Sequence, residues 1–224
     1  MENASVNGYP TVLRTRRLVL RRWKESDLLP FARINADQRV MEFMLGTMTE
    51  EETRQSVEHM KKHFDAHGFG RWAVEITDSE KFIGFVGVSI PTYTLPFSPC
   101  VEVAWRICAD EWGKGYAPEA ASEAMRDGFE RVGLEEIVSF TTLTNSKSRR
   151  VMEKLGMRYC SAEDFDHPMV PEAHSLRRHV LYRMTKADWG PRSQAAGKEQ
   201  RRFLTEVNER LRSAFYQTSL RYLL

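Results

Sequence analysis

One stretch constrains this chain more than any other: Val101 to Ala124, VEVAWRICADEWGKGYAPEAASEA. Val101, Val103, Trp105 and Ile107 alternate with Glu102, Ala104 and Arg106, which is the period of a strand. Ala109, Asp110 and Glu111 lead into a loop, Trp112-Gly113-Lys114-Gly115-Tyr116-Ala117. A helix follows at once. Pro118 suits its first turn, where a missing N–H costs nothing, and Ala117, Ala121, Ala124, Met125 and Phe129 recur at helical spacing. Strand, glycine loop and helix N-terminus together offer unpaired backbone N–H groups and the positive end of a helix dipole. Gly113 and Gly115 let an anion approach the backbone, and Lys114 adds charge. A phosphate or pyrophosphate suits such a junction. A tight turn has the same residues, and the loop alone leaves both readings open.

Two nucleotide patterns are excluded. The P-loop G-x-x-x-x-G-K-[ST] is absent, because Lys114 sits between the two glycines. The dinucleotide pattern G-x-G-x-x-G is absent, because Pro118 stands in the third glycine's place. The loop resembles the acyl-coenzyme A loop of the GNAT superfamily of N-acetyltransferases, Gln/Arg-x-x-Gly-x-Gly/Ala, with Trp112 in the Gln/Arg place. The W-G-x-G-Y-A form resembles the branch of ribosomal-protein N-terminal (alanine) acetyltransferases. A second stretch, Asn145-Ser146-Lys147-Ser148, opens a short helix with Val151, Met152 and Leu155 inward, closed by Gly156. It resembles the family's second signature, Asn-x-x-Ser/Ala-x-x-x-Tyr-x-x-x-Gly-Phe. Met152 stands where that family often has tyrosine.

Around these stretches, 42% hydrophobic residues suffice for a sizeable core. Residues 1–13 read as an arm, 14–189 as the acetyltransferase-like domain, and 190–224 as a linker and an amphipathic C-terminal helix with Phe203, Leu204, Val207, Leu211 and Phe215 on one stripe. The net charge of +2 argues for neither nucleic acid nor membrane, although it is uneven. Residues 190–224 carry seven Lys/Arg and three Glu, +4, which leaves 26 against 28, −2, for the rest. No signal-peptide pattern or membrane-length apolar run is present. Three cysteines without C-x-x-C read as free thiols, and the expectation is a cytoplasmic protein.

Arg17 to Trp23 reads as a first strand. Ser26 or Asp27 caps a helix carrying Leu28, Phe31 and Ile34. Thr49 with Glu52 forms a capping box for a helix that buries Val57, Met60 and Phe64 and stops at Gly68. His59, His63 and His67 lie on that helix at spacing four, which could bind zinc. With no acidic fourth ligand and no H-E-x-x-H, a solvated face is the preferred reading and no metal is expected. Trp72–Thr77 and Phe82–Ile90 pair as a hairpin, with Gly84 and Gly87 marking a bulge or a close backbone approach. Ile137 to Leu143, Arg158 to Phe165 and His179 to Thr185 complete the strands. The loop between the last two is rich in His and Pro.

The resemblance, over roughly 14–186, implies an α/β (α+β) fold: a mixed, mostly antiparallel sheet splayed between its fourth and fifth strands, with helices on both faces. It implies acetyl-CoA as donor and direct attack of a primary amine, a protein N-terminus or a small molecule, on the thioester. By the same resemblance, Trp105, Arg106 and Ile107 lie beside the cofactor. Trp112, Gly113, Lys114, Gly115, Tyr116 and Ala117 hold its pyrophosphate. Asn145 and Ser148 approach its pantetheine arm, and Arg149 or Lys154 reaches its phosphates. Glu102 is the candidate general base, with pairing to Arg106 as its structural alternative. Ser148 is the candidate donor to the leaving thiolate, with helix capping as its alternative. A monomer or homodimer fits equally. The competing reading is a non-catalytic CoA-binding or regulatory module whose tail helix engages a partner.

Overall fold

The computed structural model describes residues 5–6 and 9–190 of the 224-residue chain. The tail helix expected at 203–215 lies outside the described residues. The described residues divide into two units between Met184 and Thr185. In the second unit, Thr185 Oγ1 donates to Asp188 Oδ2 at 2.9 Å and accepts from the Asp188 N–H at 3.2 Å, beginning a helix at residue 186.

The first unit is built on a nine-stranded sheet. In chain order its strands are β1 (Val12–Arg14), β2 (Leu18–Arg21), β3 (Arg71–Ile76), β4 (Phe82–Ser89), β5 (Glu102–Ile107), β6 (Glu136–Thr142), β7 (Arg158–Tyr159), β8 (Phe165–Asp166) and β9 (Arg178–Thr185). Across the sheet the order is β8-β9-β6-β5-β4-β3-β2-β1, with β7 also on β9. Edge strand β1 takes Val12 and Leu13 from the stretch that reads as an arm in sequence. Helices α1 (Leu28–Ala36), α2 (Gln38–Met41) and α3 (Glu50–His67) lie between β2 and β3, α4 (Tyr116–Asp127) between β5 and β6, and α5 (Ser146–Leu155) after β6.

Periodicity explains the layering. Phe31 and Ile34 of α1 and Val57 and Met60 of α3 close on Ala73 and Phe85 of the sheet, with Trp23 at the margin. Val88, of opposite parity to Phe85, faces Gly128 at the end of α4, so α4 covers the other face. Its Ala120, Ala121, Ala124 and Met125 are buried, and the small side chains let it lie close to the strands. Helix α5 packs against α4.

The capping box of α3 forms in both directions, and Gly68 ends the helix at φ 72°. At α1, Asp27 makes no side-chain cap. Its carboxylate instead takes Arg21 in a fork (2.7 and 2.8 Å) and the Lys24 N–H at 2.8 Å. The stronger charge-assisted partner displaced the capping bond expected from sequence. The glycines of β4 do what their positions implied. The β3–β4 register shifts at Val74/Glu75. A Cβ on Gly84 would lie 2.0 Å from the Arg106 carbonyl oxygen, and one on Gly87 would lie 2.1 Å from that of Gly70. The strand read over Arg158 to Phe165 is divided, because a 3-10 turn at Ser161–Glu163 separates β7 from β8.

One feature of the sheet positions the site. β5 and β6 are its one parallel pair among the described strands, and their register holds a single bridge, Glu102 with Val138. The Val138 N–H donates to Val101 O at 2.9 Å, and Ser139 Oγ donates to Val103 O at 3.0 Å. Beyond Val103 the strands part, so the sheet is splayed between the central strand and the next.

Candidate active site

The splay opens where β5 ends. Cys108 N–H bonds toward β4, at Ile83 O, while Val101 and Val103 carbonyls point toward β6. By that alternation the N–H and C=O of Trp105 face the gap. The chain then makes a 3-10 turn at Ala109–Glu111 and passes through Gly113 (φ 76°) and Gly115 (φ 82°) into α4. A Cβ on Gly113 would meet nothing within 4 Å, and one on Gly115 would meet Arg17 NH2 alone, at 3.4 Å. The left-handed backbone, rather than crowding, calls for glycine here. Gly115 is the residue that caps α4, so the N–H groups at the start of the helix point out of its end.

Long-range contacts brace the loop. Arg17 Nε and NH2 reach Glu119 at 2.7 and 2.6 Å, and NH1 donates to the Lys114 carbonyl at 3.0 Å. The same guanidinium lies 4.7 Å over the Tyr116 ring. Trp112 Nε1 donates to Ile107 O at 2.8 Å. Buried Glu111 takes Lys114 and Lys81, each at 2.7 Å, and these two hydrogen bonds, Lys114's first, hold its carboxyl below the usual range.

Loop, splay and α5 enclose a cleft of about 320 Å³. Of the residues singled out in the sequence, Trp105, Arg106, Ile107, Trp112, Gly113, Gly115, Tyr116, Ala117, Asn145 and Ser148 line it together. Lys114, Arg149 and Glu102 are not part of that lining. Lys114 is turned onto Glu111. Arg149 donates to Tyr182 Oη and Leu143 O and lies over the Tyr159 ring. On α5, Lys147, Arg150, Val151 and Lys154 make one face at helical spacing, and that face lines the cleft. Met152, where the resemblance has tyrosine, is 1% exposed and is not part of the cleft lining.

Asn145 caps α5, its Oδ1 accepting from Ser148 N–H at 3.1 Å, while its Nδ2 donates to Ser148 Oγ at 3.2 Å. Ser148 thus accepts one bond and keeps its own O–H to give. Sequence reasoning missed Arg17, 102 residues from Glu119, and the short helix α2, whose segment brings Arg39, Val40, Phe43 and Met44 to the cleft. No local pattern marks either.

Glu102 lies at the closed end of the splay. It is buried and bonded to Arg71 NH2 at 3.1 Å, not to Arg106, and Arg71 Nε donates to Ser89 Oγ at 3.0 Å. Burial raises its pKa, opposed by the Arg71 charge. Arg71 and Ser89 line a second pocket of about 170 Å³ with His63 and Tyr93. His63 is not solvated. Its Nδ1 bonds Phe69 O at 3.0 Å, and its Nε2 accepts from Ile90 N–H at 3.1 Å. Both ring nitrogens tie α3 to backbone flanking β3 and β4, and burial pushes the pKa to about 4. Among the described residues, no group of three His, Cys, Asp or Glu could hold a metal ion. Cys108 is pushed up by burial, away from thiolate chemistry.

The sheet is thus opened along one strand, with a glycine-loop helix N-terminus at the mouth of the opening. The model of the acetyltransferase (GNAT) domain matches residues 17–158, and the chain belongs to the GNAT acetyltransferase family. Over 126 residues it is 33% identical to the Aspergillus fumigatus FsC-acetyl coenzyme A-N(2)-transacetylase, covering 54% of this chain and 52% of that protein. It therefore spans about half the length of that relative. A Bacillus subtilis N-acetyltransferase, YnaD, is 27% identical over 176 residues, covering 78% of this chain and 97% of that one. In fold it is similar to a GNAT-family acetyltransferase from Bacillus anthracis, with TM-score 0.65 and 24% identity over 79% of this chain and 99% of that chain. Mycobacterium smegmatis RimJ in complex with CoA-disulfide is similar too, with TM-score 0.65 and 20% identity over 83% and 94%.

Proposed function

We propose that this acetyltransferase takes its acetyl group from acetyl-CoA and passes it to a primary amine, on a protein N-terminus or a small molecule. One observation carries this reading: the open edge of β5 at Trp105 and the glycine-loop end of α4 line the same cleft. An extended, amide-bearing arm suits the strand edge. A diphosphate suits N–H groups at a helix end flanked by Lys147, Arg150 and Lys154. The residues therefore fit coenzyme A, and charge-assisted bonds of about 1.5–3 kcal/mol each hold such an anion without a metal.

In the reaction, the amine nitrogen bonds to the thioester carbon, the C–S bond breaks, and the nitrogen loses a proton while the thiolate gains one. An alkylammonium is mostly protonated near neutral pH, so a base is required. Glu102, its basicity raised by burial and its carboxylate held by Arg71, serves as that base through water. The Ser148 O–H, available in the cleft, is the donor to sulfur. The three free cysteines support a cytoplasmic setting. Calorimetric titration with acetyl-CoA and, separately, with ATP tests the donor, and mass spectrometry of an amine panel tests the transfer. Binding of ATP but not acetyl-CoA refutes the reading.

A further inference from the structure

Arg106 is a charge without a counter-charge. It stands on β5, opposite Phe85, and lines the cleft. Its NH1 donates to Asn35 Oδ1 at 2.7 Å and to Met48 Sδ at 3.5 Å. Its Nε is buried with no partner, and among the described residues no carboxylate pairs with it. Other enclosed arginines of this molecule are neutralised: Arg21 by Asp27 and Glu75, Arg71 by Glu102, Arg131 by Asp127. Arg106 has instead a like-charged neighbour, since it and Arg71 both lie over the Phe85 ring, at 5.7 and 5.4 Å. Burial pushes its pKa down to about 10, so it stays charged at neutral pH.

An enclosed cation without an anion is costly, and proteins rarely keep one unless something else supplies the anion. Asn35 does not supply it. Its Nδ2 donates to Thr53 Oγ1 at 3.0 Å, which fixes its oxygen toward Arg106 and orients the guanidinium without neutralising it. The exposed side of a planar guanidinium matches a carboxylate. Apolar Val40, Phe43 and Met44 line the same cleft as Arg106.

We propose that Arg106 binds a carboxylate of the acceptor, so that the amine acetylated here carries a carboxylate close to its nitrogen. This deepens the acetyl-transfer reading above and rests on it. The carboxylate belongs either to a free amino acid or to an acidic residue beside the amine, and the chemistry at Arg106 is the same.

The test titrates CoA-loaded full-length protein with N-acetyl-alanine and N-acetyl-alaninamide, products that differ only in the carboxylate. The carboxylate form should bind about 10- to 100-fold more tightly, the difference one charge-assisted pair makes. Arg106→Gln should bring the two affinities together. A third probe, N-acetyl-aspartyl amide, carries its carboxylate on the side chain; preference for it over N-acetyl-alaninamide supports the proposal and identifies the acidic-residue source. Equal binding of all three probes by the wild-type chain overturns the proposal and needs no variant. A loss of CoA affinity in Arg106→Gln as large as the loss for N-acetyl-alanine overturns it too, because the guanidinium would then serve the cofactor. A carboxylate preference without turnover of any amine would refute acetyl transfer, and with it the acceptor role, while leaving Arg106 as a carboxylate site.

Discussion

Gly115 offers a test in which stability and binding move in opposite directions. It caps α4 at φ 82°, in the left-handed region. An L-residue there costs about 1–2 kcal/mol of backbone strain. Crowding adds nothing, since the nearest atom to a new Cβ is Arg17 NH2 at 3.4 Å. Gly115→Ala should therefore lower the melting temperature by about 2–8 °C in a chain of this size. Gly115→Glu bears the same strain, but its carboxylate sits at a helix N-terminus and recovers about 0.3–1 kcal/mol. The glutamate variant should be at least as stable as the alanine variant. Binding should reverse that order. The new carboxylate takes the N–H groups a diphosphate would use, and losing two charge-assisted bonds of about 1.5–3 kcal/mol each weakens acetyl-CoA by about a hundred- to ten-thousand-fold. Thermal melts with calorimetry on both variants decide it. Equal acetyl-CoA affinity for the two would remove the loop from phosphate binding.

Gly84→Ala and Gly87→Ala should fail to fold, because their Cβ atoms would lie 2.0 and 2.1 Å from carbonyl oxygens; soluble variants with native circular dichroism would contradict the register. Lys154→Ala should weaken acetyl-CoA more than Arg149→Ala, and increasingly so at low salt, because Lys154 faces the cleft and Arg149 faces Tyr182. Glu102→Gln should lower kcat by about 10²–10⁴ if Glu102 is the base, whereas a decrease confined to the acetyl-CoA KM would argue against that role. Acid should destabilise the domain through His63 and His167, whose burial holds both near pKa 4 against 6.5 in the open chain. Unfolded chains then bind protons first, so stability is complete above about pH 6.5 and declines toward 4; urea titrations at three pH values that show no decline would refute the neutral assignment.

What could be read from the sequence is what depends on neighbours along the chain. The capping box of Thr49 and Glu52, the left-handed Gly68, the strand–loop–helix at 101–124 and the glycines of β4 are all local, and each took the form its spacing implied. The contacts that make the loop rigid are not local. Arg17, just before β2, and Glu119 of α4 meet only because the fold packs the start of α4 beside that strand, and no periodicity encodes that. The same holds for Glu102, whose partner is Arg71 across two strands rather than Arg106 four residues on. His63 misleads for a different reason. Its stripe looks solvated, yet two backbone groups from elsewhere claim its ring nitrogens. The family resemblance left Lys154 and Arg149 equal candidates for the phosphates, and only the rotation of α5 separates them.

The single bridge between β5 and β6 gives the sheet a third edge, in its middle. Its two outer edges are short, three residues at β1 and two at β8, and so offer little for another chain to pair with. The inner edge borders the cleft that residues of α4 and α5 also line. The amide of Trp105 should accordingly exchange its proton with solvent as an edge amide does, although it belongs to a central strand. Whatever fills the gap would slow that exchange by acting as a temporary strand, one that repairs the sheet for as long as it stays.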